Sequence, residues 1–124
     1  MSVIKSHRDL LVYQKAFDCA MEVFQISSQF PKEETYSLTD QIRRSSRSVC
    51  ANIAEAFRRR KYPKSFVSKL NESEAEAAET QNWIDCVNKC NYLDHNTHKN
   101  IDFACEEIIK MLVSMQINYD KWSM

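Results

Sequence analysis

Glycine is absent from this sequence, and proline occurs only at Pro31 and Pro63. Hairpin turns, helix ends and phosphate-binding loops normally rely on glycine, because it adopts positive φ without a steric penalty. The absence of glycine therefore argues against β-hairpins and against glycine-rich nucleotide sites. With only two prolines as breakers, the chain is predicted to form long helices whose ends are capped by Asn, Asp, Ser or Thr.

Long apolar runs are absent as well. No segment approaches the roughly 20 apolar residues that cross a bilayer. Lys5 and Arg8 precede an amphipathic stretch rather than the apolar segment of a signal peptide. The chain is therefore expected to stay in the cytoplasm, where its cysteines are reduced and act as small core side chains. These cysteines are Cys19, Cys50, Cys86, Cys90 and Cys105.

The hydrophobic periodicity predicts one all-α domain, residues 1–124, in the form of an antiparallel up-down four-helix bundle. The helices are predicted at residues 9–28, 38–60 and 63–93, with a fourth after a capping turn at 94–97. A bundle of this size gains stability from partners, so self-association is expected. The core faces of the first two helices are predicted to be Leu10, Phe17, Met21 and Phe24, then Leu38, Ile42, Val49, Ile53, Ala56 and Phe57. Those of the last two are Phe66, Leu70, Ser73, Ala77, Thr80, Ile84 and Val87, then Ile101, Ala104, Ile108, Leu112, Met115 and Tyr119.

The charges are balanced overall but separated along the chain. Residues 43–69 contain nine basic residues and one acid, a net charge of +8, whereas residues 72–107 contain nine acids and two bases, a net charge of −7. Two interpretations remain open. The basic helix pairs with the acidic helix beside it, or its arginines bind the phosphates of a nucleic acid.

The second helix carries polar residues on both sides of its apolar stripe, and the two sides differ in composition. One side, here the basic flank, is predicted to contact RNA or DNA phosphates, because arginine suits bidentate phosphate contacts. The other side, here the polar ladder, is predicted to lie at an oligomer interface, where mixed polar side chains form hydrogen-bonded networks. The basic flank consists of Arg43, Arg47, Arg58 and Lys61. The polar ladder consists of Arg44, Ser48, Asn52, Glu55 and Arg59.

Residues with catalytic or metal-binding chemistry are poorly placed. Cys86 and Cys90 lie one helical turn apart, but their neighbours do not complete a zinc spacing. The three histidines lie near a chain end or in a turn, remote in sequence from the predicted core cysteines. No catalytic residue, metal ligand or cofactor is therefore predicted, and the chain is expected not to be an enzyme.

The second helix also carries a recognisable motif. The segments QIRR at 41–44, Ser48 and NIAE at 52–55 resemble the signature of the proteins encoded by intervening sequences within 23S ribosomal RNA genes. The resemblance extends to VYQKA at 12–16, Phe30-Pro31 and ETQNWI at 79–84. Two departures, Ala56 for the usual glycine and Val49-Cys50 for the usual Ile-Pro, favour a more regular helix.

The resemblance implies a four-helix bundle that assembles as a homopentamer. It also implies a distant likeness to the accessory variability proteins of retroelements, whose basic barrel engages nucleic acid and a reverse transcriptase. The resulting hypothesis is a non-enzymatic oligomeric bundle with a basic surface for RNA or DNA, accessory to a nucleic-acid enzyme. The alternative is a purely structural oligomer that binds another protein.

Overall fold

Residues 3–123 are described by a computed structural model of the protein. The α-helices are α1 (Leu11–Ser27), α2 (Leu38–Arg58), α3 (Pro63–Lys89) and α4 (His95–Ile117). Each helix packs against the next one along the chain, and α4 also packs against α1. Short connectors join them, so the predicted all-α four-helix bundle is confirmed. Within the described residues, no helix has the length and apolarity that crossing a membrane requires.

The helix ends show how a chain without glycine terminates its helices. Asp94 caps α4, with its side-chain Oδ1 accepting a hydrogen bond from the Thr97 amide at 2.7 Å, as the sequence predicts for this turn. The predicted capping is not general, because α1, α2 and α3 begin without a hydrogen bond from a capping side chain. After α3, Asn91 adopts φ 61°, the left-handed conformation that glycine usually supplies at this position. The Tyr92 amide then donates back to the Val87 carbonyl at 3.1 Å. Asparagine tolerates this conformation best after glycine, so α3 ends in the usual motif without one.

The connectors at one end of the bundle are tied together. The Tyr92 hydroxyl, which follows α3, donates to Glu34 Oε2 at 2.9 Å in the connector between α1 and α2. This hydrogen bond raises the pKa of Tyr92 to about 12. The Tyr92 ring also packs against Phe30, with ring centroids 6.0 Å apart. These contacts fix the α1–α2 and α3–α4 turns side by side, as an up-down bundle requires.

The apolar stripes of α2 and α3 are buried as predicted. All six predicted residues of α2 and all seven of α3 lie in the interior. The α4 prediction is partly correct: Ile101, Ile108, Leu112 and Met115 are buried, but Cys105 takes the core position expected for Ala104. Tyr119 lies beyond the end of α4 and is exposed.

The predicted core face of α1 is only partly correct: Leu10, just before the helix, is buried, and Met21 packs half-buried against the core. Phe17 and Phe24 are each 45% exposed. Small side chains instead form much of the buried face, which lets the α1 backbone approach its neighbours closely while the bulkier stripe lies at the edge. The buried residues of α1 are Val12, Ala16, Cys19, Ala20, Val23 and Ser27.

The cysteines divide by location. Cys19, Cys50 and Cys105 are buried core side chains, as predicted, but Cys90 is exposed and Cys86 only half-buried. The expectation that all five lie in the core is therefore wrong, because α3 presents Cys86 on the margin of its buried face and Cys90 caps its end. Burial raises the pKa of the Cys50 thiol to about 11, so this thiol stays protonated.

Candidate nucleic-acid interface

The polar ladder of α2 faces α3 of the same chain. Arg44 donates to both carboxylate oxygens of Glu76, at 3.1 and 3.4 Å, and also to Glu79. The Trp83 indole donates to Glu79 at 3.0 Å. Burial alone would raise the pKa of Glu76, but hydrogen bonds from Arg44 and Ser48 and the Arg44 charge hold it below its usual value. Arg44 therefore forms ion pairs with two carboxylates of α3.

The remaining residues of the ladder are also engaged within the chain. The Asn52 amide donates to the Ser48 carbonyl and hydroxyl at 2.9 and 3.1 Å. Lys69 on α3 bridges Glu55 and Glu72, at 2.9 Å from each. At the end of the ladder, Arg59 donates to Ser65 at 3.1 Å. The Asn52 hydrogen bonds lie within α2, whereas the Glu55 and Arg59 contacts reach α3. A role for the ladder between subunits stays a prediction.

Buried hydroxyl groups strengthen the same helix pair. Ser45 and Thr80 are hydrogen-bonded at 2.8 Å, and the Ser73 hydroxyl donates to the Val49 carbonyl at 2.8 Å. A buried hydroxyl without a partner is costly, so these bonds favour one alignment of α2 on α3. The ladder is thus held in register with the acidic residues of α3.

The basic flank lies at the opposite edge of α2, beside α1. Arg43 donates through Nε to the Ser27 hydroxyl at 2.7 Å and through Nη2 to the Phe24 carbonyl at 3.4 Å. Its guanidinium carbon is 4.8 Å from the centre of the Phe24 ring, and that of Arg47 is 5.8 Å away. These contacts orient both guanidinium groups without neutralising their charge.

The flank continues to the other end of α2. Arg58 lines an open cleft of about 430 Å³ together with His7 and Phe57. Burial, and then the positive charges of Arg8 and Arg58, lower the pKa of His7. Lys61 lies just beyond α2, with its ammonium 5.6 Å from the centre of the Tyr62 ring.

The two sides of α2 therefore differ in electrostatic pairing. Within residues 3–123, none of the four basic-flank residues forms an ion pair, whereas Arg44 and Lys69 each bridge two carboxylates. The pairing interpretation of the charge separation thus holds for Arg44 of the polar ladder and for Lys69. The basic flank keeps its positive charge.

Exposed aromatic rings beside the basic flank were missed by sequence reasoning. Phe17 and Phe24 recur with Tyr13 and Met21 at helical spacing, which predicts one face but not whether that face is buried. The signal that distinguishes the two cases is the second stripe of small residues on α1, which fits the bundle interior better.

Two of the three histidines, His95 and His98, lie on α4, away from the basic flank of α2. His98 Nε2 is 2.8 Å from Asp85 Oδ1, and its ring stacks on His95. In the part of the chain that the structure describes, no group of three or more histidine, cysteine, aspartate or glutamate residues is arranged to hold a metal ion.

Comparison with known proteins identifies the family of this chain. The sequence model of the family described as 23S rRNA-intervening sequence protein matches residues 8–114. The chain belongs to this family. The match spans α1, α2 and α3 and most of α4, and it confirms the resemblance carried by the motif on α2.

A solved structure resembles this 23S rRNA-intervening sequence protein over most of its length. It is a protein with unknown function from the S23 ribosomal protein family of Bacteroides thetaiotaomicron, with a TM-score of 0.78 and 28% sequence identity. The match covers 86% of this chain and 98% of the other. No curated protein matches the chain. The comparisons therefore establish family and fold.

Proposed function

We propose that this 23S rRNA-intervening sequence protein is a non-enzymatic, cytoplasmic protein that binds RNA or DNA. Its phosphate contacts are the four basic-flank residues, Arg43, Arg47, Arg58 and Lys61. One observation carries the proposal: within residues 3–123 these four residues form no ion pair, whereas Arg44 of the polar ladder pairs with Glu76 and Glu79 of α3. Unpaired cations are available to a polyanion, which releases counterions when its phosphates are neutralised.

The distribution of acids supports the same surface. Gln81 donates to Glu106 at 3.0 Å, and Gln116 donates to Glu74 at 2.9 Å. These contacts mark the junction of α3 and α4 as an acidic side. A nucleic acid that approaches along α1 and α2 meets the basic flank and avoids this repulsive side.

The test is to replace the four basic-flank residues with alanine and to measure binding of a fluorescently labelled RNA by anisotropy at about 50 and 200 mM salt. We expect binding at low salt to weaken by at least about tenfold. We also expect the slope of log affinity against log salt to shrink by up to about 3, since each phosphate contact contributes about 0.7 to 0.9.

A matched variant distinguishes the effect of the basic flank from the effect of net charge. Lys32, Lys89, Lys99 and Lys121 are exposed, and replacing all four with alanine removes the same charge from other parts of the bundle. We expect this variant to retain most of the binding. Equal losses in both variants, or no RNA binding by the unaltered protein at low salt, would contradict the proposal.

We also propose that the protein self-associates, with the homopentamer implied by the family resemblance as the assembly. The supporting observation is a set of exposed apolar side chains on α1 and α4. Leu11, Phe103 and Ile117 are 57%, 69% and 72% exposed. Exposed apolar groups of this size favour burial against another copy. The competing function, a scaffold for another protein such as a reverse transcriptase, would use the same groups for that partner.

Mass measurement by light scattering at low and high salt tests this assembly. We expect one oligomeric mass at both salt concentrations, because apolar contacts are not screened by salt. A variant with Phe103→Asp and Ile117→Asp is expected to be monomeric. Dissociation at high salt would place charged residues between subunits instead, and a monomeric unaltered protein would leave the apolar groups to another partner.

A further inference from the structure

Aromatic rings recur along one face of α1 and in the short turn before it, and this set, His7, Tyr13, Phe17 and Phe24, is here called the aromatic strip. The His7 ring contacts Tyr13 edge to face, with centroids 4.7 Å apart. The Tyr13 ring is stacked with that of Phe17 at 6.0 Å and an interplanar angle of 27°. Phe24 continues the strip toward the end of α1. From Tyr13 to Phe24 the strip extends about 16 Å along the helix axis.

The aromatic strip and the basic flank run side by side. At one end, the guanidinium groups of Arg43 and Arg47 lie over the Phe24 ring. At the other end, His7 and Arg58 line the same cleft. Rings and cations meet at both ends because α1 packs antiparallel on α2, which places them along one edge of the bundle.

The exposed rings of this strip are not explained by packing in the core. Phe17 and Phe24 are each 45% exposed, although smaller side chains of α1 fill the core. The arginines over Phe24 gain a cation–π attraction, but they leave nearly half of its surface open. An open ring beside unpaired cations combines the two groups that bind a single-stranded nucleic acid, since bases stack on the ring and phosphates meet the cations.

We propose that the aromatic strip and the basic flank together bind single-stranded nucleic acid, RNA or DNA, whose unpaired bases stack on Phe17 and Phe24. This inference rests on the proposed function and specifies its ligand. A duplex keeps the faces of its bases stacked inside the helix, so it reaches only the cations. Stacking is indifferent to base identity and to the ribose 2′-hydroxyl, so single strands of RNA and DNA bind alike.

The first measurement compares one labelled sequence as a single strand and as a duplex, in both RNA and DNA form. We expect the single strands to bind about tenfold more tightly than the duplexes. Phe24→Leu removes the ring and keeps an apolar side chain, and it is expected to weaken single-strand binding by about tenfold without changing duplex binding, as loss of one stacked base predicts. Tyr36→Leu is the matched control, because Tyr36 is 93% exposed and lies in the connector between α1 and α2, outside the aromatic strip.

A second measurement separates stacking from charge. We expect Phe24→Leu to leave the salt slope of single-strand binding unchanged, whereas the alanine variant of the basic flank reduces it. We expect Phe24→Trp to keep single-strand binding, with its indole fluorescence quenched by the stacked base. Tyr36→Trp is expected to show no such quenching.

The outcomes distinguish this inference from the proposed function. The stacking is overturned if single strands and duplexes bind equally and Phe24→Leu is indistinguishable from Tyr36→Leu. Loss of binding in the basic-flank variant would then still support phosphate contact. Unchanged binding in the basic-flank variant overturns the proposed function itself. If Phe24→Leu reduces the salt slope as well as the affinity, the ring acts only by positioning the arginines, and the stacking is overturned.

Discussion

Replacing Phe66 with alanine is expected to lower the free energy of unfolding by about 3 to 5 kcal/mol. Phe66 is 2% exposed and lies in the first turns of α3, where it fills the end of the core. Its truncation removes apolar contacts and leaves a cavity that rigid helices only partly close. The measurement is urea denaturation followed by circular dichroism.

The control for this prediction is Tyr36→Ala. Tyr36 is 93% exposed, so loss of its ring is expected to change the free energy of unfolding by no more than about 0.5 kcal/mol. A similar destabilisation in both variants would mean that Phe66 is not part of the core.

Replacing Ala16 with leucine is expected to destabilise the protein by about 1 to 3 kcal/mol. Ala16 is 1% exposed, and its small side chain allows α1 to pack closely on its neighbours. The larger leucine forces α1 outward or into a strained rotamer. Thermal and urea unfolding both measure the loss.

An exposed alanine provides the comparison for this change. Ala78 lies on the exposed side of α3, so Ala78→Leu is expected to change stability by no more than about 0.5 kcal/mol. Equal stability of the two leucine variants would mean that the face of α1 that contains Phe17 and Phe24 is the buried one.

The helices were largely predictable, because the stripes of α2 and α3 repeat uncharged, mostly apolar residues at one helical spacing. On α1 two stripes compete, and hydrophobic size favours the wrong one. Ala16 and Ala20 carry little apolar surface, so only the tight packing of the assembled bundle identifies them as core residues. Sequence periodicity locates such stripes and does not rank them by burial.

The candidate site was predictable in composition and only partly in arrangement. The cluster of positive charge on α2 is evident from the sequence, but the pairing of Arg44 with Glu76 and Glu79 joins residues more than thirty positions apart. Neighbouring Arg43 points to the other edge, where Phe24 and Ser27 hold it. Two adjacent arginines thus differ in charge pairing because a helix rotates about 100° per residue.

The asparagine that ends α3 has a consequence for the denatured chain. Because Asn91 adopts positive φ in the folded protein, this bundle closes a helix without any glycine. A glycine samples more backbone conformations than any other residue when the chain is unfolded, and replacing one at a compatible site is worth about 0.4 to 1 kcal/mol. A sequence of 124 residues with no glycine therefore has a less disordered denatured ensemble, and part of the stability of this small bundle comes from the state in which its helices are not formed.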